Sequence, residues 1–330
     1  MSAPVIVAEV VRSGFVEGYH HGSVVVTGPD GTAEWSAGVV DRPMFPRSSH
    51  KPLQALGMLR AGLQLDGELL ALAAASHSGE PFHLDGVRKI LAGAALDVAA
   101  LRTPPDYPLD DLARDEWTRA GHAPEPITMN CSGKHAAMLA TSAANGWPTD
   151  SYRDPEHPVQ RSILAAIEDS SAEKIASVAV DGCGAPQPAI TLTGLARAFG
   201  RFGAAAPDTL EGRVAGAFRA HPEWASGTRR PEAALIWATP ELFCKGGAEG
   251  VYAVGLADGR GIALKIEDGA SRARKVVMAA TLFALGLDND VIRAQREHPL
   301  LGGGNPVGAV RPAPDLARRL EALAARSAAH

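Results

Sequence analysis

Two serines and two lysines in this 330-residue chain have types and spacings that suit nucleophilic chemistry. In Arg47-Ser48-Ser49-His50-Lys51-Pro52, Ser48 and Lys51 stand three positions apart, so a helix beginning here turns both to one side. A serine hydroxyl is a poor nucleophile at neutral pH without an adjacent base. A lysine serves as that base when burial or a neighbouring cation disfavours its charged form. The plainer alternative makes Ser48 a helix N-cap and Lys51 a solvated first-turn residue. Ser76-His77-Ser78-Gly79-Glu80 ends an apolar stretch with a second hydroxyl, Ser76. It suits either a helix C-cap, with Gly79 at positive φ, or the wall of a cleft. Lys265 shares a strand face with Ala263 and Glu267. Projecting into a cleft, it would depress a second lysine's pKa by like-charge repulsion. Lys245-Gly246-Gly247 reads as a structural turn.

Two further places crowd chemistry into a turn. Asn130-Cys131-Ser132-Gly133-Lys134-His135 opens an apolar helix, whose free N–H groups suit an anion such as a substrate carboxylate. Asn130 or Ser132 could equally be its cap. Asp181-Gly182-Cys183-Gly184-Ala185-Pro186 puts an acid and a thiol in a Gly/Pro turn. Cys131 and Cys183 either bracket a metal or fill the core, and their spacing matches no zinc-finger pattern. Cys244 reads as a small buried hydrophobe. Three cysteines do not make a disulfide framework.

The elements that must position these groups are legible in the patterning. Val-rich strands are expected over 4–11 and 21–27, with 32–37 returning after Pro29-Asp30-Gly31. Ala- and Leu-rich helices follow over 52–61, 68–75, 83–94, 109–119, 134–144 and 158–167. After a short strand at 176–180 come helices at 193–202 and 210–220. Strands 250–256 and 261–267 then flank the hairpin signal Asp258-Gly259-Arg260. Helices are expected at 270–285 and 291–297, a Gly/Pro-rich loop at 299–314, and a terminal helix. Strands at both ends and helices between predict an α+β fold, with an antiparallel sheet built from both chain ends and covered by helices on both faces. No linker interrupts it, so residues 1–330 are expected to form one domain of two lobes with a cleft between them.

Composition excludes several classes of function. A net charge of −5 argues against a nucleic-acid-binding surface. No apolar run approaches the ~20 residues that span a bilayer. The N-terminus carries no positive n-region followed by a long apolar core, so a cytoplasmic location is expected.

In their order along the chain, R-S-x-x-K-P (47–52), S-H-S-G-E (76–80), N-C-S-G-K-H (130–135), D-G-C-G-x-P (181–186), K-G-G-A-E-G (245–250) and K-I-E-D-G (265–269) resemble the L-asparaginase II family of the rhizobial, thermolabile type. The resemblance runs from about Val5 to Arg311. It implies a fold like the serine β-lactamases and serine glutaminases, a homodimer, and hydrolysis of L-asparagine to L-aspartate and ammonia through a Ser48 acyl-enzyme. It also implies two serine–lysine tandems, Ser48 with Lys51 and Ser76 with Lys265, and a zinc site of Cys131, Lys134 and Cys183. Arg47, His135 and Asp181 are expected to grip the substrate's α-amino and α-carboxylate groups. Two other hydrolases share parts of this logic. A serine-dependent glutaminase differs by one methylene of substrate, and a penicillin-recognising hydrolase shares S-x-x-K but needs S-D-N and K-T-G triplets missing here. A non-enzymatic small-molecule or zinc-binding module would leave the paired lysines without a task.

Overall fold

The computed structural model describes residues 3–327. The chain opens with β1 (Val5–Arg12), β2 (Phe15–Thr27) and β3 (Ala33–Ala37). A separate ribbon, β4 (Ser177–Val180) and β5 (Pro186–Ala189), interrupts the helical middle. β6 (Leu242–Gly246), β7 (Val251–Leu256), β8 (Gly261–Ile266), β9 (His298–Gly302) and β10 (Asn305–Pro312) complete the set. The main sheet runs β6-β7-β8-β2-β1-β10-β9, with β3 pairing to β2. Its ladders are antiparallel, and the two chain ends meet at its centre: Glu9 lies opposite Arg311, and Val24 opposite Leu264.

This is the α+β architecture that Val-rich ends and an Ala/Leu-rich middle predict. Val24, Val25 and Val26 are all fully buried. Successive strand residues point to opposite faces, so both faces must be covered. The Leu192–Ala204 helix lies against β7, β8 and β2, and the Ser271–Ala284 helix against β8, β1 and β10. In the helical part the Lys51–Arg60 helix is buried except at Arg60, as befits an apolar helix inside a core. It packs on the Pro158–Ser171 helix at Gly57, where a Cβ would come within 2.5 Å of Ile163 Cα.

The loop expected over 299–314 is instead the β9–β10 hairpin, turning through Gly303 and Gly304 at positive φ. Its prolines hid it. Pro306 sits at the register shift between Pro306 and Gly308, where a missing N–H costs no ladder bond. The structural turn expected over 245–247 is also corrected: Lys245 and Gly246 belong to β6, an edge strand buried along its whole length.

Candidate functional site

The site lies where the start of the Lys51–Arg60 helix, the end of the Gly67–Ala73 helix and β6 converge. A 3₁₀ turn, Arg47–His50, leads directly into the Lys51–Arg60 helix, and the Lys51 N–H donates to Ser48 O. Ser48 is half-buried, and among the described residues its hydroxyl has no hydrogen-bond partner. Lys51 is fully buried. Its amine nitrogen makes three hydrogen bonds, with Ala75 O at 2.6 Å, Ser76 Oγ at 2.8 Å and Cys131 Sγ at 3.1 Å. A buried amine so completely partnered is not a solvated first-turn residue.

The second lysine at Ser76 is Lys245, not Lys265. Lys245 Nζ lies 3.3 Å from Ser76 Oγ and donates to Gly246 O at 2.9 Å. Burial, followed by repulsion from Lys51, pushes its pKa down to about 7. Lys265 is half-exposed and donates to Glu249 O and Ile266 O at 2.6 and 2.7 Å. The register explains the difference. Lys245 pairs with Ala253 and Ala253 with Ala263, so Lys265 points to the same face as Lys245 but from two strands away. At about 4.8 Å per strand that displacement is roughly 10 Å, out of reach of Ser76.

β6 is fastened to the serine segment by Ser49 Oγ, which donates to Lys245 O at 3.1 Å. Gly247 then passes so close that a Cβ would lie 2.7 Å from Pro46 O and 2.8 Å from Ser49 Oγ. The Ser76 segment is pinned by the His77 N–H, which donates to Asn130 O at 3.0 Å. His77 Nδ1 accepts from the Gly79 N–H, so Nε2 carries the proton and donates to Ser132 Oγ at 2.8 Å. Gly79 has φ +79, the left-handed turn expected after the helix.

A thiol cluster adjoins this chain of amines, joined to it by the Lys51–Cys131 contact. Cys131, Lys134 and Cys183 are all buried, and Lys134 Nζ donates to Cys183 Sγ at 3.2 Å. The two thiols divide in acidity: Cys131, and then Lys134, lower Cys183 against burial, while Cys183 and burial raise Cys131. Burial opposes a charge on Lys134, but the Cys183 and Cys131 sulfurs outweigh it and raise its pKa. Two sulfurs and one amine nitrogen thus converge in one buried spot, a donor set that fits a soft divalent ion such as zinc. Among the described residues no group of three or more His, Cys, Asp or Glu forms a metal-holding cluster, so the third donor of any such set is Lys134.

The residues expected to grip substrate fall in two places. Arg47 has φ +52 and gives Nε to Asp181 Oδ1 at 2.9 Å, with Glu249 Oε1 3.6 Å from its Nη1. His135 is fully buried, hydrogen-bonds through Nδ1 with the Tyr152 hydroxyl at 2.7 Å, and is driven down to about 4 by burial against the pull of Cys183. Arg47 and Asp181, both partly exposed, therefore satisfy one another, and His135 is buried beside Cys183. The sequence reading missed His50, fully buried with Nδ1 3.3 Å from Gln187 Nε2, and held neutral first by burial and then by Lys134 and Lys51. Its place inside S-S-H-K was the available signal.

The L-asparaginase II family model matches residues 8–312, nearly the whole chain. The protein is thus an amidohydrolase in class. It belongs to the L-asparaginase II family. No curated protein matches the sequence. Among solved structures it is similar to a β-lactamase from Mycobacterium bovis, at 12% identity over 79% of this chain and 94% of that one, with a TM-score of 0.46. It is similar also to EstCE1, a hydrolase with promiscuous acyltransferase activity, at 12% identity over 76% and 91%, TM-score 0.39. For Mglu in its native form the figures are 16% identity over 82% and 66%, TM-score 0.38. No helix among the described residues is long and apolar enough to cross a membrane.

Proposed function

We propose that the chain hydrolyses the side-chain amide of L-asparagine to L-aspartate and ammonia through an acyl-enzyme on Ser48. The observation that carries this reading is the buried Lys51–Ser76–Lys245 chain, which begins one helical turn from Ser48. Ser48 Oγ attacks the amide carbon and gives its proton to Lys51 as Lys51 passes one to Ser76. Ser76 in turn passes its hydroxyl proton to Lys245, the amine that burial keeps neutral above about pH 7. Collapse of the tetrahedral intermediate breaks the C–N bond, and the relay runs backward to deliver a proton to the departing nitrogen as ammonia. Water then attacks the β-aspartyl ester, and the regenerated Ser48 hydroxyl recovers its proton as aspartate leaves. In this scheme backbone N–H groups near Ser48 hold the oxyanion.

Zinc held by Cys131, Lys134 and Cys183 would supply a fixed positive charge that orders the substrate and the two turns. The chain's own residues set the proton cost of that binding, because thiols and amines ligate only when deprotonated. Zinc added to metal-free protein should release one proton from Cys131 and one from Lys134. Calorimetry in buffers of different ionisation heat reads that number, and uptake without proton release would exclude this ligand set.

The test of the reaction is ammonia release from L-asparagine and L-glutamine at pH 8, with acid-quenched samples digested and examined by mass spectrometry. Asparagine turnover with an aspartyl adduct on the Ser48 peptide is the expected result. Turnover of glutamine alone would make the chain a glutaminase, since one methylene of pocket fit decides only about 1–3 kcal/mol. Turnover of a β-lactam and of neither amide would favour the penicillin-recognising reading. One observation favours a second nucleophile: both lysine amines reach Ser76, so an adduct on the Ser76 peptide would move the acyl-enzyme there.

A further inference from the structure

Behind β6 lies a buried ion pair that the reaction as written does not use. Arg274, on the Ser271–Ala284 helix, donates through Nη1 to Gly247 O at 2.5 Å and through Nη2 to Glu232 Oε1 at 2.9 Å. The side chains of Glu232 and Arg274 are only 4% and 10% exposed. A Cβ at Gly246 would come within 2.3 Å of Glu232 Oε1, so glycine is what lets the carboxylate press against the backbone next to Lys245. Arg230, which precedes the Pro231–Ala238 helix, holds its Nε 3.6 Å from Glu232 Oε2. Even so, Glu232 Oε2, Arg274 Nε and Arg230 Nε have no hydrogen-bond partner. A buried ion pair with unmatched atoms is a weak source of stability compared with apolar packing.

We propose that Glu232, held between Arg274 and Arg230, is a positioning residue that fixes both the place and the charge state of Lys245. This inference rests on the reading of Lys245 as the proton acceptor. The charged groups that act most on Lys245 come from three helices. Lys51 comes from its own helix, Arg274 from the Ser271–Ala284 helix, and Arg230 and Glu232 from the Pro231–Ala238 helix and its N-cap. The β7 residue opposite is Ala253, while nearby Cys244 and Tyr252 are kept protonated by burial. Glu232 is the one carboxylate against three cations, so it sets how readily the amine gives up its proton.

Glu232→Gln and Arg230→Gln test this with opposite signs. The readouts are the pH profile of kcat/KM and the pH titration of the Lys245 Cε resonance in 13C-lysine-labelled protein, assigned by its loss in Lys245→Arg. Glu232→Gln removes attraction and should move the midpoint down by about one pH unit. Arg230→Gln removes repulsion and should move it up. A merely structural role would lower thermal stability or kcat while leaving both midpoints in place. Unmoved midpoints in folded variants, or shifts in the same direction, would overturn the proposal. If Glu232→Gln fails to fold, the direction of the Arg230→Gln shift decides. If no amide is hydrolysed at all, the resonance still reports the coupling, and only the reading of the reaction is lost.

Discussion

Lys245→Met should lower kcat/KM for amide hydrolysis by roughly 10²–10⁴-fold, the usual worth of a positioned general base. Burial is the reason: a buried amine 3.3 Å from Ser76 Oγ, with Lys51 on the other side of that hydroxyl, loses its proton near neutrality, and its pKa is pushed down to about 7. Below that pH Lys245 is an ammonium and cannot accept the relayed proton; above it the acceptor is free. The native rate should therefore rise through about pH 7 and level off. In Lys245→Met the residual rate should show no rise there. Methionine replaces the aliphatic stem and removes a desolvated amine, so thermal unfolding should change little. A variant that keeps both the full rate and the rise near pH 7 would sink the assignment.

The error over this residue shows what a sequence does and does not carry. The strand periodicity at 261–267 correctly gave Lys265 a face, and it is the face that Lys245 shares. Periodicity, however, says nothing of how many strands separate two residues on that face. That is a matter of strand order, which chain position does not encode. The Gly-Gly after Lys245 reads locally as a turn, yet here the glycines admit Pro46, Ser49, Glu232 and Arg274 at distances a Cβ forbids. The signal for close approach was present, but its partners were not.

Other features were legible because they are local. Val-rich ends predict strands covered on both faces, as the centre of β1 and the second half of β2, residues 22–27, are, while the first half of β2 is largely exposed. The S-x-x-K spacing carries its own meaning, since a helix start at Lys51 places Ser48 one turn away. The thiol cluster was half legible. Cys131 and Cys183 lie in the turns where their polar neighbours suggested, but the contact of Cys131 with Lys51 joins segments 80 residues apart. The β9–β10 hairpin stayed hidden because its prolines and glycines suit a bulged strand as well as a loop.

Ser48→Ala should abolish turnover, with a loss of about 10⁴-fold or more, whereas Ser76→Ala should leave a measurable residue. Removing a nucleophile eliminates the covalent route, and only positioning and oxyanion stabilisation remain. Removing a relay hydroxyl leaves the nucleophile and both amines in place, and a water in the vacated space can bridge them. The two variants should also differ in what they accumulate. Ser76→Ala slows proton delivery to the leaving nitrogen and proton removal from the attacking water, so rapid-quench samples should still carry the adduct on Ser48. Ser48→Ala should carry none. The reverse pattern, with Ser48→Ala active and Ser76→Ala dead, would transfer the nucleophile to Ser76. Lys51 and Lys245 would then flank it from two sides as base and electrostatic partner, an arrangement their hydrogen bonds to Ser76 already permit. Both outcomes leave the buried amine pair at the centre of the chemistry. What they decide is whether the half-buried hydroxyl of Ser48 or the buried one between the lysines forms the bond to carbon.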